Sequence, residues 1–209
     1  MTEVSVIWAY DLNWQPAPVF QNYQAYTDRL DGLNAAALSS STGPAFVLRH
    51  VGAPADGRFE SLEAPRTNVA LMCDYAPAAS DGSWLLLERL PASRCAEPEL
   101  LTEQRVGAGE TIPVPAVDEA TEILLVSIEF DVGLLDRIQT ALYKSDEYWL
   151  TVDGVRSRLL PRVTSSPGVL SASSAATGWD APFLPIDHVP ATITLDHAAT
   201  VTFSAAAID

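Results

Sequence analysis

The spacing of apolar positions along the chain changes character near Pro91. Before it, strand-like and helix-like runs alternate. Residues 4–10 read as a strand, and residues 11–18 as an irregular stretch broken by Pro16 and Pro18. Thr27 is suited to cap a helix running to about Leu38, with Leu30, Leu33, Ala37 and Leu38 on one face. Gly43-Pro44 ends it, residues 45–50 form a short strand, and residues 53–57 a turn. Pro65 suits the first turn of a second helix whose apolar side carries Val69, Met72 and Cys73. Asp81-Gly82 is a turn, and residues 84–89 are a buried strand. The order strand, helix, strand, helix, strand predicts a small α/β layer over residues 1–92.

After a Pro- and Glu-rich connector, the pattern becomes that of strands. Residues 111–117 are a short extended stretch. Residues 123–132 alternate, with Leu124, Val126, Ile128 and Phe130 against Leu125, Ser127 and Glu129. Residues 134–143 read as a short helix or turn. Residues 148–152, Asp153-Gly154 and residues 155–160 are the clearest hairpin in the chain. Residues 161–170 continue extended, and the small, polar residues 171–181 read as a loop. Residues 191–195 and 200–205 are expected to close the fold as a second hairpin. Short strands with turns at this spacing predict a β-sandwich of jelly-roll type over residues 104–209. The fold class expected is therefore α+β, a small N-terminal α/β layer followed by a jelly-roll-like β-sandwich.

Composition narrows the partners more than the fold. With 209 residues, 48% of them hydrophobic and 19% charged, the chain has the makings of real cores. A formal net charge of -15 repels nucleic acid and anionic lipid headgroups, so neither is expected as a partner. No apolar run approaches the roughly 20 residues that cross a bilayer as a helix. The first residues lack the basic region and apolar core of a signal peptide, so the chain as given reads as cytoplasmic. Cys73 and Cys95 are the only cysteines, too few for a Cys-rich zinc site and not spaced as a redox pair. Two buried thiols and one disulfide both remain open to them. No cofactor is expected.

Candidate chemistry is sparse. Gln21, Tyr23 and Tyr26 offer flat apolar faces and polar groups suited to a sugar ring, or else they pack the first helix onto its sheet. Trp179 lies among small residues, where an exposed indole would be a stacking platform and a buried one a plug for the sandwich end. Arg156, Arg158 and Arg162 could hold an anionic sugar or a lipid phosphate, or pair with neighbouring carboxylates. Asp187-His188 and Asp196-His197 repeat a ligand-like pair, though solvated pairs of this kind are common. Asp118 and Glu119 read as solubilising charge. There is no Gly-x-Ser-x-Gly elbow and no phosphate-cradling glycine loop.

One stretch is more specific. Trp14, Pro16, Pro18-Val-Phe-Gln21, Tyr23 and Ala25-Tyr-Thr27 resemble a segment of large polytopic bacterial membrane proteins, glycosyltransferase-like or unassigned, where it opens an extracytoplasmic domain. Further blocks follow in order: Pro44-Ala-Phe-Val-Leu48, Asp56-Gly-Arg58, Leu71-Met-Cys-Asp-Tyr75, Trp84-Leu-Leu-Leu-Glu-Arg89, Cys95, and the hairpin with Arg158 and Pro161. Ala17 departs from the family's usual Arg-Pro, so any ligand or partner contact made by that arginine is lost here. The resemblance implies an extracytoplasmic location, a Cys73–Cys95 disulfide, and a parent membrane-embedded segment as partner. It carries over no catalytic residue. The role expected is non-catalytic, with Trp14, Gln21, Tyr23, Tyr26, Arg58, Arg158 and Trp179 as candidate contacts for a saccharide or lipid-linked substrate. A hydrolase with its site between the two parts, and a virion or assembly protein, are the alternatives. Oligomeric state is not legible.

Overall fold

The computed structural model describes residues 8–20, 24–52, 54–131, 146–180, 183, 184 and 186–209. The helix or turn expected over residues 134–143 lies outside them. So does the first half of the strand expected over residues 4–10, whose second half is not a strand: Trp8 and Ala9 are helical and Tyr10 enters a turn.

Helix α1 (Asp28–Ser39) begins where expected, with Thr27 Oγ1 accepting from Leu30 N at 3.3 Å. The expected face is only partly the buried one: Leu38 packs against a hydrophobic core. Leu33 is exposed, while Asp31 and Asn34 are buried. Polar bonds from Asp31 and Asn34 supplement this apolar contact in fastening the helix to its surroundings. Strand β1 (Phe46–His50) is followed by a single 3-10 turn (Ala55–Gly57), then by α2 (Glu60–Glu63) and α3 (Pro65–Asp74), which starts on its proline. Strands β2 (Tyr75–Asp81) and β3 (Trp84–Arg89) complete an antiparallel sheet of order β1-β3-β2. Periodicity does not reveal β2, which carries Pro77 and a run of small residues. It is an edge strand, and its register with β3 shifts between Pro77 and Ala79, so the missing N–H does no harm to a ladder.

Among the described residues eight more strands follow: β4 (Glu99–Val106), β5 (Thr111–Pro113), β6 (Glu122–Phe130), β7 (Tyr148–Val152), β8 (Val155–Leu159), β9 (Gly168–Ser171), β10 (Thr192–Leu195) and β11 (Ala199–Ala207). A short helix, α4 (Ser174–Thr177), lies between β9 and β10. The strands form two antiparallel sheets, β5-β10-β7-β8 and β4-β11-β6-β9. The β7–β8 hairpin turns on Asp153 and Gly154, both at positive φ (49° and 80°), the backbone that a two-residue hairpin demands. The second hairpin is a correction. β10 and β11 do not pair: β10 lies between β5 and β7, and β11 between β4 and β6. The three residues 196–198 carry the chain from one sheet to the other.

Both sheets contribute to one apolar core, including Ile112, Leu150 and Ile193 from the first and Leu124, Val126, Ile128, Val201 and Phe203 from the second. The arrangement is a β-sandwich-like α+β fold. A second core lies on the far side of the β4-β11-β6-β9 sheet, where Leu71 and Met72 of α3, Tyr75, Leu85 and Leu87 meet Ile123, Leu125, Val169 and Ala206. Strand β6 is thus covered on both faces, and its alternation sorts residues between two cores. Gly168 permits the close approach of helices to this sheet: a Cβ there would stand 2.5 Å from Leu62 Cδ2 and 2.6 Å from Pro65 Cβ. Cys73, at the end of α3, is bonded to Cys95, just before β4 (S–S 2.02 Å).

Candidate functional site

Asn34 explains how the N-terminal aromatic residues are held. Its Oδ1 accepts from Val19 N at 2.7 Å and its Nδ2 donates to Val19 O at 3.1 Å, so one amide imitates a strand neighbour. Gln15 Nε2 donates to Thr42 O at 3.1 Å, fixing the stretch at the other end of α1. On this scaffold Trp14 packs edge-to-face between Trp8 (centroids 6.2 Å apart) and Phe20 (5.6 Å). The cluster is not buried: Trp8 is 70% exposed and Trp14 42%, with Tyr10, Leu12 and Phe20 also exposed. Both indoles thus keep surface that a ligand can reach. Gln21 and Tyr23, which continue the same stretch, lie outside the described residues. Trp8, placed by periodicity in a strand, is the member that sequence reading missed; the density of aromatics over residues 8–20 was the available signal.

A second group of candidates converges. The Arg58 guanidinium lies 5.2 Å from the Tyr26 ring centroid, and bonds Glu63 at 2.8 Å and Asp56 at 3.2 Å. Phe59 N donates to Arg158 O at 3.0 Å, which draws this segment alongside β8. Tyr26, Arg58 and Arg158 therefore share one neighbourhood. Burial disfavours the Arg58 cation, but the Tyr26 hydroxyl and the Glu63 carboxylate more than offset it and hold the guanidinium above its ordinary value. Burial raises Glu63, with Arg58 opposing. Arg58, Glu63 and Asp56 thus form an ion-paired clamp where the helices meet β8.

Trp179 is not a platform. It is fully buried against the second core, with the Arg49 guanidinium 5.7 Å from its ring centroid. Its small neighbours leave room for residues distant in sequence to enclose it. The histidine pairs do not converge. His188 bonds Asp187 and Asp153, whereas His197 stacks on Tyr148 (centroids 4.3 Å apart) and bonds Asp196 at 2.8 Å. Arg156 lies over the Trp149 ring at 4.4 Å and within 3.7 Å of Asp196, so it is engaged with its own sheet. Among the described residues no three His, Cys, Asp or Glu side chains are grouped to hold a metal ion. Glu119 is more than solubilising charge, since its Oε1 accepts from Val189 N at 2.9 Å.

Between α1, α3 and the outer face of the β4-β11-β6-β9 sheet runs a groove of about 540 Å³, walled mainly by small and apolar side chains such as Ala35, Ala70, Ile123 and Ala206. Arg66 and Asp74 are its charged lining residues, and Arg66 is held by Asp28 at 2.7 Å. No histidine lines it. No helix among the described residues is long and apolar enough to cross a membrane. The chain matches no protein family, no curated protein and no solved structure.

Proposed function

We propose that this chain is a non-catalytic extracytoplasmic domain of a bacterial membrane protein, and that it holds a saccharide, free or lipid-linked, for its membrane-embedded partner segment. The observation that carries the reading is the exposed Trp8–Trp14–Phe20 cluster, fixed by the Asn34 amide to α1 and by the Gln15 amide to the turn after it. Exposed indoles attract the apolar side of a pyranose, and anchored ones do so at low entropic cost. The disulfide supports an oxidising compartment. From β4 to β11 the chain alternates between the two sheets except at the β7–β8 hairpin, and every pair is antiparallel. That order supports a jelly roll, an architecture shared by lectin domains and capsid proteins, which by itself does not choose between them.

The test is titration of the full chain with cell-envelope glycans, followed by calorimetry or by chemical shifts of the indole N–H groups. Trp14→Ala is expected to weaken binding by about 1–3 kcal/mol while leaving the thermal transition in place. Failure of every glycan to bind at millimolar concentration would sink the reading. Self-association through Leu100 and Leu101, exposed on the β4 edge, would move the assembly alternative to the front.

A further inference from the structure

The side chain of His188 is bracketed by two carboxylates from different elements. Its Nε2 lies 2.8 Å from Asp153 Oδ2, in the β7–β8 turn, and its Nδ1 lies 3.1 Å from Asp187 Oδ1, beside it in the chain. An ionised carboxylate offers only acceptors, so both contacts are hydrogen bonds only when both ring nitrogens carry protons. A neutral imidazole has one N–H and must leave the other nitrogen's lone pair facing an anion. The geometry therefore selects the imidazolium.

The ring's position gives this selection a consequence. Residues 186–190 cross the end of the sandwich. Ile186 O accepts from Ala172 N at 2.9 Å, next to β9 of one sheet, while His188 reaches the turn of the other. Ile186 and Val189 pack against the sandwich core beneath. Val189 N is held by Glu119, the third carboxylate of the neighbourhood, which bonds the backbone and not the ring. Among the described residues, Asp153 and Asp187 are the charged groups that act on the imidazole.

We propose that His188 is a proton-dependent latch: protonated, it ties the 186–190 segment to the β7–β8 turn, and on losing a proton it releases one carboxylate and loosens the end of the sandwich. The hydrogen bonds to Asp187 and Asp153 raise its pKa above the ordinary imidazole value. The sign follows. The latch contributes fully below the ordinary value and is lost as pH rises through the raised one. The ring is more than half exposed, so the effect is local loosening and not unfolding.

The experiment is a pH titration of the full chain by NMR, reading the His188 ring resonances together with amide exchange at residues 153–155 and 186–189. The latch predicts that His188 titrates above the ordinary imidazole value. It also predicts that the two amide groups exchange severalfold faster above that titration than below it, after correction for intrinsic exchange. Asp153→Asn should bring the His188 titration down and make exchange at residues 186–189 fast at both pH values. The surface carboxamide keeps its size, so the variant is expected to fold, and unchanged shifts for Leu150 and Ile193 verify that it does. Titration at the ordinary value in the parent chain, or exchange that ignores the titration, overturns the proposal.

Discussion

Asp31 is a carboxylate with no solvent contact, and the reason lies in another helix. Helix α3 opens on Ala64 and Pro65, and Ala64 has no side chain with which to cap it. Asp31 reaches across from α1 and accepts from Arg66 N at 2.8 Å, Thr67 N at 3.1 Å and Thr67 Oγ1 at 2.6 Å. It serves as the missing cap, where the helix dipole also favours negative charge. Burial still pushes its pKa up, with these donors opposing. Asp31→Ala leaves buried N–H groups without acceptors and should cost about 2–4 kcal/mol in urea denaturation at neutral pH. A variant as stable as the parent would remove Asp31 from this role. None of this is legible in sequence, where an aspartate four places after Thr27 reads as first-turn charge. Thr27 itself was legible, because a cap of that kind is local. Trp179 fails for the same reason as Asp31, since its enclosure by Leu87, Val169 and Phe183 depends on chain segments far apart.

Elements whose pattern is complete within themselves were readable. The β7–β8 hairpin has its turn residues and its alternation in one stretch, and it forms in the expected register, with Val152 opposite Val155. Helix α3 announces itself by Pro65. Elements defined by what covers them were not readable. Strand β4 has only Val106 fully buried, because it lies at an edge, and its sequence passes for a polar connector. Strand β6 shows alternation but not its meaning, since both of its faces are covered. The approach of α2 and α3 to β9 was equally hidden, though one residue permits it. Gly168→Ala would drive a methyl into Leu62 and Pro65 and should cost about 1–3 kcal/mol by overpacking. Thermal denaturation checks this, and an unchanged midpoint would mean that the helices ride easily on the sheet.

For the whole molecule, the question is what joins the helical layer to the sandwich. The second core is shared between them, the Arg94 guanidinium donates from the connector to Thr177 O at 2.7 Å, and the Cys73–Cys95 bond closes a loop of 22 residues across the junction. Loop closure of that length is worth about 3 kcal/mol. Replacing both cysteines by serine is therefore expected to lower stability by about that amount with one cooperative transition retained, because β6 and β11 belong to both cores. Two separated calorimetric transitions would show instead that the bond alone couples the parts. The strand order carries a further consequence, for the order of events in time. The final strand, β11, is not an addition at the rim. It is inserted between β4 and β6, so its 199–207 stretch is made after both of the strands that flank it. Until then β4 and β6 have no partner to join them, and each presents an open edge. The sheet is finished from its middle, so during synthesis β4 and β6 are joined only once β11 has been made.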